Sequence, residues 1–320
     1  MKSHVIRPVA ILCGTLLAAT LTHAQAWPNK SIKFVVPFAA GGANDLMVRA
    51  AAEGAAKALG QTIIIDNKPG AGGSLGAELV AKSAADSYTF LISAARVMSN
   101  HMIKKSMPFK EADLTPVSFI ALAPPIIVAP PNATYSTLRE FVEASKKERG
   151  GFNFATACTG STPHFVAEIL KSKYGAILQV VPYKSGNESA TAIMGGQVHA
   201  TSEASIVSLP KVTGGKMKAL ANTWTGRLSS YPQLTTANEQ GFPDVKIAHW
   251  AGVHAPTGVS AEVMDKLAAA IDNAMKTPEV ANRLNAVGIE PMGGTRASFV
   301  RFVAEERAHP AAAVKISGMK

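Results

Sequence analysis

Cysteine is almost missing from this chain. Only Cys13 and Cys158 occur in 320 residues, which excludes a disulfide-stapled scaffold and a cysteine-based zinc module. Aromatic residues make up 6%, too few for the base-stacking platforms of a single-strand nucleic-acid binder. The 32 lysines and arginines outnumber 22 acids, yet they are scattered and form no basic stripe. Nucleic acid is therefore not an expected partner, and a field that draws small anions is the milder reading. Tandem repeats and low-complexity tracts are absent. His164, His199, His249 and His254 show no metal-ligand spacing beyond a single H-x4-H, so neither metal nor cofactor is expected. No nucleophile, base and acid stand at a credible spacing for an enzyme.

What is present starts with an address. Lys2, His4 and Arg7 precede an apolar run over residues 9–21, and Ala24-Gln25-Ala26 offers a small-x-small cleavage site. Residues 1–26 read as a secretory signal peptide, and the run is short for a membrane span. Its removal takes Lys2, Arg7 and Cys13, leaving 30 basic against 22 acidic side chains and Cys158 alone. The remaining apolar stretches are short or broken by Gly, Pro and charge.

The rest alternates β-rich runs with helical patterns, the mark of an α/β architecture. Strands are expected at residues 32–36, 63–65, 88–92, 117–122, 126–129, 152–155, 178–181, 198–201 and 219–223. Helices are expected at 46–59, 74–83, 137–149, from Pro163 to about Lys173, after Asn187 to about Met194, from Ser260, from Thr277, and over 295–315 except near Pro310. Thr162 is a possible cap before Pro163, and residues 109–116 read as loop.

Two motifs mislead. Gly72-Gly73-Ser74-Leu75-Gly76 matches the G-x-S-x-G elbow of hydrolases, but no strand runs directly into the serine; a helix cap at Ser74 is the plainer reading. Gly70-Ala71-Gly72 lacks the third glycine of a dinucleotide fingerprint and reads as a structural turn.

The informative stretch is Phe34-Val35-Val36-Pro37-Phe38-Ala39-Ala40-Gly41-Gly42-Ala43-Asn44-Asp45. A strand enters, a helix leaves, and the helix start points bare N–H groups forward, which favours an anion. Similar junctions occur at residues 93–99, 156–164 and 184–187. In an α/β sheet such junctions collect at the carboxyl ends of strands, where ligands bind. Each alone is explained by capping; together they suit a carboxylate.

Residues 27–45 resemble the opening of the tripartite tricarboxylate transporter receptors, the Bug family of solute-binding proteins. The resemblance continues through residues 67–78, Gly160-Ser161-Thr162-Pro163-His164, Val181-Pro182-Tyr183-Lys184, Gly195-Gly196-Gln197-Val198 and residues 249–258, in the family's order along the whole mature chain. It implies an α/β, two-domain periplasmic-binding-protein fold of the type II, flytrap kind, with two crossover segments near residues 122–127 and 223–230. Domain 1 would comprise residues 27–122 and 230–320, and domain 2 residues 123–229. The implied function is a periplasmic receptor, a monomer, that captures a small carboxylate or an acidic or zwitterionic ligand and delivers it to a two-subunit inner-membrane permease. A sensing receptor without a permease shares the same site, and a secreted hydrolase is the reading from another class.

The resemblance also implies ligand contacts from Phe38, Ala39, Ala40, Gly41 and Asn44, with Asp45 capping the helix. The expected contacts also include Ser93, Ala94 and Arg96 at the 93–99 junction, which departs from the family's Gly/Ser/Thr-rich pattern and is one residue shorter, Thr159, Gly160, Ser161 and His164 at the 156–164 junction, and Ser185, Gly186 and Glu203. Some alternatives stay open. Arg96 is either a bidentate clamp for a second carboxylate or a surface arginine. His164 is a ligand group or a satisfied helix-start histidine. Glu203 stands where the family usually has a pocket-facing Asp that meets an ammonium in amino-acid binders, or it is a solvated or loop-bonding acid. Cys158 replaces a usual Gly, and His199 a common Asp.

Overall fold

The computed structural model describes residues 27–157 and 160–307. The expected signal peptide, Cys158, Thr159 and the helical reading beyond Arg307 lie outside the described residues. The first part of the chain contains β1 (Ile32–Val36), α1 (Ala43–Leu59), β2 (Ile63–Asn67), α2 (Ser74–Ala81), β3 (Thr89–Ser93), α3 (Ala95–Ile103) and β4 (Leu114–Ala123). Then follow β5 (Pro125–Ala129), α4 (Leu138–Lys147), β6 (Phe152–Thr156), α5 (Thr162–Tyr174), β7 (Leu178–Pro182), α6 (Gly186–Met194), β8 (Ala200–Ala204), α7 (Ser205–Thr213) and β9 (Lys218–Asn222). The last part holds β10 (His249–Pro256), α8 (Ala261–Lys276), α9 (Pro278–Asn285), β11 (Glu290–Pro291) and α10 (Arg296–Glu306).

Among the described residues these strands build two sheets, ordered β11-β4-β10-β3-β1-β2 and β7-β6-β8-β5-β9. β1 pairs in parallel with β2 and β3, and β6 with β7 and β8. β10 runs antiparallel between β3 and β4, and β5 antiparallel between β8 and β9. Each sheet is covered by helices, as central strands buried on both faces require. β5 shows it in sequence: Pro-Ile-Ile-Val-Ala is buried at every position.

Local chemistry sets the element ends. α1 is rich in alanine, the best helix former, and stops at Gly60, whose φ of 65° places it in the left-handed region favoured by glycine. Ser260 caps α8 by accepting from the Val263 N–H, and the helix buries Leu267, Ile271, Ala274 and Met275. α1 lies so close to α8 that a Cβ on Gly54 would come within 2.5 Å of the Ala274 Cβ.

Some expectations need correction. β4 begins at Leu114, inside the stretch read as loop, and tolerates Pro116 because the ladder with β10 is irregular between Val253 and His254, where that proline pairs. α7 and β10 are not predicted by the sequence reading, and α3 only through the strand-to-helix junction at residues 93–99. α3 has no side-chain cap, α7 carries Pro210 inside it, and β10 mixes glycine and histidine with apolar residues, so each lacks its usual signature. β8 lies further along than expected, which places Thr201, Ser202 and Glu203 in a buried strand. Ser74 does not cap α2: its Oγ accepts from Asn100 Nδ2 at 3.0 Å and Lys104 Nζ at 2.8 Å, and Gly73 occupies the cap position.

The chain passes from the first sheet to the second at Pro124, between β4 and β5. Its return is not a single crossing at residues 223–230: Trp224 packs against the first sheet's outer core, but the chain then goes back to the second. Leu234, Ala237, Phe242, Val245 and Ile247 all pack into the cores of the second sheet, whereas Ala248 and Trp250 belong with the first. Apolar burial holds this long connection to the second sheet, a tie that strand and turn signals do not reveal.

The first sheet's outer core turns on Phe299 of α10, which is fully buried. It meets Trp250 edge-on at 5.9 Å and Phe119 at 5.5 Å. Gly252 of β10 lies beneath the ring, where a Cβ would be only 2.1 Å from Phe299 Cζ. Phe299→Ala is therefore expected to cost about 3–5 kcal/mol through lost burial and a cavity. Equilibrium urea unfolding checks this, and a loss below about 1 kcal/mol would contradict the packing described.

Candidate functional site

Where the strand ends of the two sheets face each other, a cleft of about 650 Å³ opens. From the first sheet it is walled by the β1–α1 loop, the Pro69–Gly73 turn, the β3–α3 junction and the start of β10. From the second it is walled by the starts of α5 and α6, the end of β8, and Val207 of α7. Of the expected contact residues, Phe38, Ala39, Ala40, Gly41, Asn44, Ala94, Arg96, Ser161, Ser185, Gly186 and Glu203 line this one cleft.

The β1–α1 loop is held by Asp45, which is 2% exposed. Its carboxylate accepts from the Gly41 N–H at 2.9 Å, Arg49 Nε at 2.8 Å and Asn67 Nδ2 at 2.9 Å. Burial opposes its charge, but these hydrogen bonds outweigh burial and hold the carboxyl below its usual range. Asn67 also donates to the Phe38 carbonyl, and Asn44 Nδ2 donates to the Trp250 carbonyl at 2.9 Å. Asn44 thus ties the loop to β10, and it lines the cleft with the loop residues before it. Gly41, at φ 77°, makes the turn.

At the N-caps of α1, α3 and α5 stand Gly42, Ala94 and Ser161, and none uses a side chain to cap the helix. All three border the cleft or its rim. α6 differs: Ser185 Oγ accepts the Glu188 N–H. Arg96 enters from the first turn of α3 and packs over Gly72, where a Cβ would be 2.7 Å from its Nε. Lys184 reaches the cleft from the opposite lobe.

Other expected residues stand elsewhere. Ser93 is buried in the sheet, where its Oγ donates to the Gly252 carbonyl at 3.1 Å and lies 2.6 Å from His254 Nδ1. It is a strand-tying residue and not a cleft wall, because the alternating pleat turns it inward. His164 Nδ1 accepts the Gly160 N–H at 2.9 Å. Burial pulls its imidazole below the usual value although Glu168 pulls upward. That is the helix-start role: His164 shapes the loop and does not line the cleft. Gly160 borders a small neighbouring void beside Arg96 and Glu306. Thr159 lies outside the described residues. Thr162 is the first residue of α5, and Ser161 is its N-cap.

Sequence reasoning missed His249, Trp250, Val207 and the Pro69–Gly73 wall. β10 is antiparallel, so its beginning reaches the same edge as the carboxyl ends of β1 and β3. The only signal was the block His249-Trp250, and without a predicted strand it had no place. Burial lowers the His249 imidazole to about 4, so it is neutral near pH 7. Glu203 is 4% exposed, and burial lifts its carboxyl to about 7. Among the described residues no group of three His, Cys, Asp or Glu side chains could hold a metal.

The family model for "Tripartite tricarboxylate transporter family receptor" matches residues 47–319. Protein BugT of Bordetella pertussis (strain Tohama I) is 30% identical over 321 residues, covering 99% of this chain and 98% of that protein. An R. palustris protein solved with adipate superposes with a TM-score of 0.82 at 29% identity, over 91% of this chain and 98% of that one. MatC from Rhodopseudomonas palustris with bound malate gives 0.77 at 27% identity, over 90% of this chain and 100% of that one.

Asp45 generates a test of the cleft's construction. Asp45→Ala leaves the Gly41 N–H and two side-chain donors without their acceptor, and is expected to cost about 2–3 kcal/mol at neutral pH. Because the folded carboxyl titrates below the ordinary 3.8, its contribution is present above that value and is lost as pH falls through the folded one. Melting curves should show wild type and variant converging in strong acid; a constant gap would contradict this role.

Proposed function

The chain belongs to the tripartite tricarboxylate transporter receptor family, and we propose that it is a periplasmic receptor that closes over a small carboxylate and hands it to a two-subunit membrane permease. The observation that carries this reading is the convergence of uncapped helix starts from both sheets on one cleft, beside Arg96 and Lys184. Backbone N–H groups at helix starts favour an anion. Arg96 offers a planar, charge-assisted clamp.

In this reading Gly41, Gly42 and neighbouring backbone hold one carboxylate from the first lobe, with Ser161, Thr162 and Ser185 meeting the ligand from the second. The first lobe comprises residues 27–123 and 248–307, and the second the chain between, with the hinge at Pro124 and near Ala248. Ligand contacts to both lobes favour the closed state, and the closed surface is what the permease recognises. Phe38 and Trp250 give the cleft an apolar floor suited to the carbon skeleton of the ligand. Proteins of this kind that share 27–29% identity have been solved with adipate and malate, which supports the carboxylate class.

A thermal-shift screen of mono-, di- and tricarboxylates tests the reading. A true ligand at about 100 times its Kd should stabilise the fold by roughly 2.7 kcal/mol. Arg96→Ala should weaken binding at least about tenfold. If no carboxylate raises the melting temperature, the ligand class is wrong; undiminished affinity in Arg96→Ala would remove the clamp.

A further inference from the structure

Among the described residues lining the cleft, Glu203 is the one acid. An acid is out of place in a wall otherwise suited to anions, so its surroundings decide what it does. Thr201 Oγ1 on the same strand lies 3.3 Å from Glu203 Oε1, and the Ser189 side chain reaches the carboxyl from α6. Gly186 leaves room for it: a Cβ there would sit 2.3 Å from Oε2. Both hydroxyl contacts favour the charged form of the carboxyl, and burial outweighs them.

None of the ion pairs among the described residues includes Glu203. Lys211 of α7 acts on it only from a distance, and its Nζ donates to the Val207 carbonyl. Ser208 of α7 donates to the Glu203 backbone carbonyl, and β5 presents Ile126 across the strand. From the cleft side the charged or titratable groups are Lys184, Arg96 and His249, of which His249 is neutral. An ionised carboxylate buried without a partner cation is costly. A neutral acid with an O–H to give is not, and an anionic ligand would make the neutral form still more favourable.

We propose that Glu203 works as a protonated acid whose O–H donates a hydrogen bond to a carboxylate oxygen of the ligand, so that the receptor takes up a proton with its ligand and selects plain carboxylates over amino acids. This rests on the carboxylate reading above. The proton comes from solvent when the free protein holds Glu203 partly ionised, and it stays on Glu203 in the complex. Burial that lifts the carboxyl to about 7 puts this exchange in the neutral range. Glu306, beside Arg96 in the neighbouring void, is also lifted to about 7 by burial and needs its own control.

The test is calorimetric titration with adipate, in two buffers of different ionisation enthalpy, on wild type, Glu203→Gln and Glu306→Gln. Wild-type affinity should fall roughly 30-fold between about pH 6 and about pH 8.5, with uptake approaching one proton at the alkaline end. Glu203→Gln keeps a donor without a charge, and should bind with little pH dependence and no proton uptake. In the ligand-free protein the Glu203 carboxyl carbon, assigned by its loss in Glu203→Gln, should titrate near neutrality by NMR. PH-independent adipate binding without proton uptake overturns the proposal and leaves the carboxylate reading standing. So does an ordinary acidic titration of that carbon, or a pH dependence that survives Glu203→Gln and vanishes in Glu306→Gln. Aspartate binding that tightens as pH rises also overturns it, since an ionised Glu203 would then be meeting an ammonium. No heat and no thermal shift with adipate, malate, benzoate or aspartate at any pH overturns the carboxylate reading and this proposal together.

Discussion

The first N–H groups of a helix have no partner within it, and they must find one elsewhere. This constraint organises the protein. α1, α3 and α5 begin at Gly42, Ala94 and Ser161, and at each the cap residue's side chain leaves the helix start open. Helices that end the same strands on their far side are closed conventionally, as Gly60 and Gly175 show at the ends of α1 and α5. At the cleft edge, water or an anion can satisfy these groups. Parallel strand order brings these starts to one edge, and the antiparallel β10 adds His249 and Trp250 from the opposite chain direction.

Holding backbone N–H groups open demands rigid loops. Asp45 does this for the β1–α1 loop by fastening Gly41, Arg49 and Asn67. The neighbouring glycine turn fits against it with almost no spare room. A Cβ on Gly73 would be 2.9 Å from Val97 Cγ2, and one on Gly76 would be 2.9 Å from Pro37 Cβ. The glycines that resembled hydrolase and dinucleotide motifs are therefore packing glycines, and they let two loops and α3 share one wall. A pre-shaped wall spends less ordering entropy on its ligand than a flexible one.

How much of this was legible follows from the kind of signal each part carries. β1, α1, α8 and the strand-to-helix junctions declared themselves through apolar periodicity, Gly stops and Ser caps, which are local. The resemblance then assigned the fold. What escaped was set by tertiary packing. Residues 234–247 belong to the second sheet because Ala237, Phe242 and Ile247 bury there. α3 has no capping side chain to announce it. At the site, backbone loops were readable and side-chain directions were not. Ser93 and Arg96 lie three residues apart in one junction, but the pleat sends the first to His254 and the helix start sends the second to the cleft. His164 looked like a ligand group because it follows Ser161, whereas one helical turn brings its ring back onto the Gly160 N–H.

Glu203 also stands next to the passage between the sheets, and this gives its position a mechanical meaning. Ser205, two residues on, donates its N–H to the Pro124 carbonyl at 3.0 Å, and its Oγ donates to the Gly288 carbonyl. Thr223 donates its N–H to the Pro125 carbonyl at 3.0 Å and accepts from the Ile247 N–H at 3.1 Å. The outgoing and returning passes of the chain are thereby stitched together beside the end of β8. Ser229 meets the Glu290 carboxylate further out, joining the second sheet's long connection to β11 of the first. Glu203 and Ala204 at the end of β8, like His249 and Trp250 beside the return, thus join the cleft wall to the two passes of the chain between the sheets.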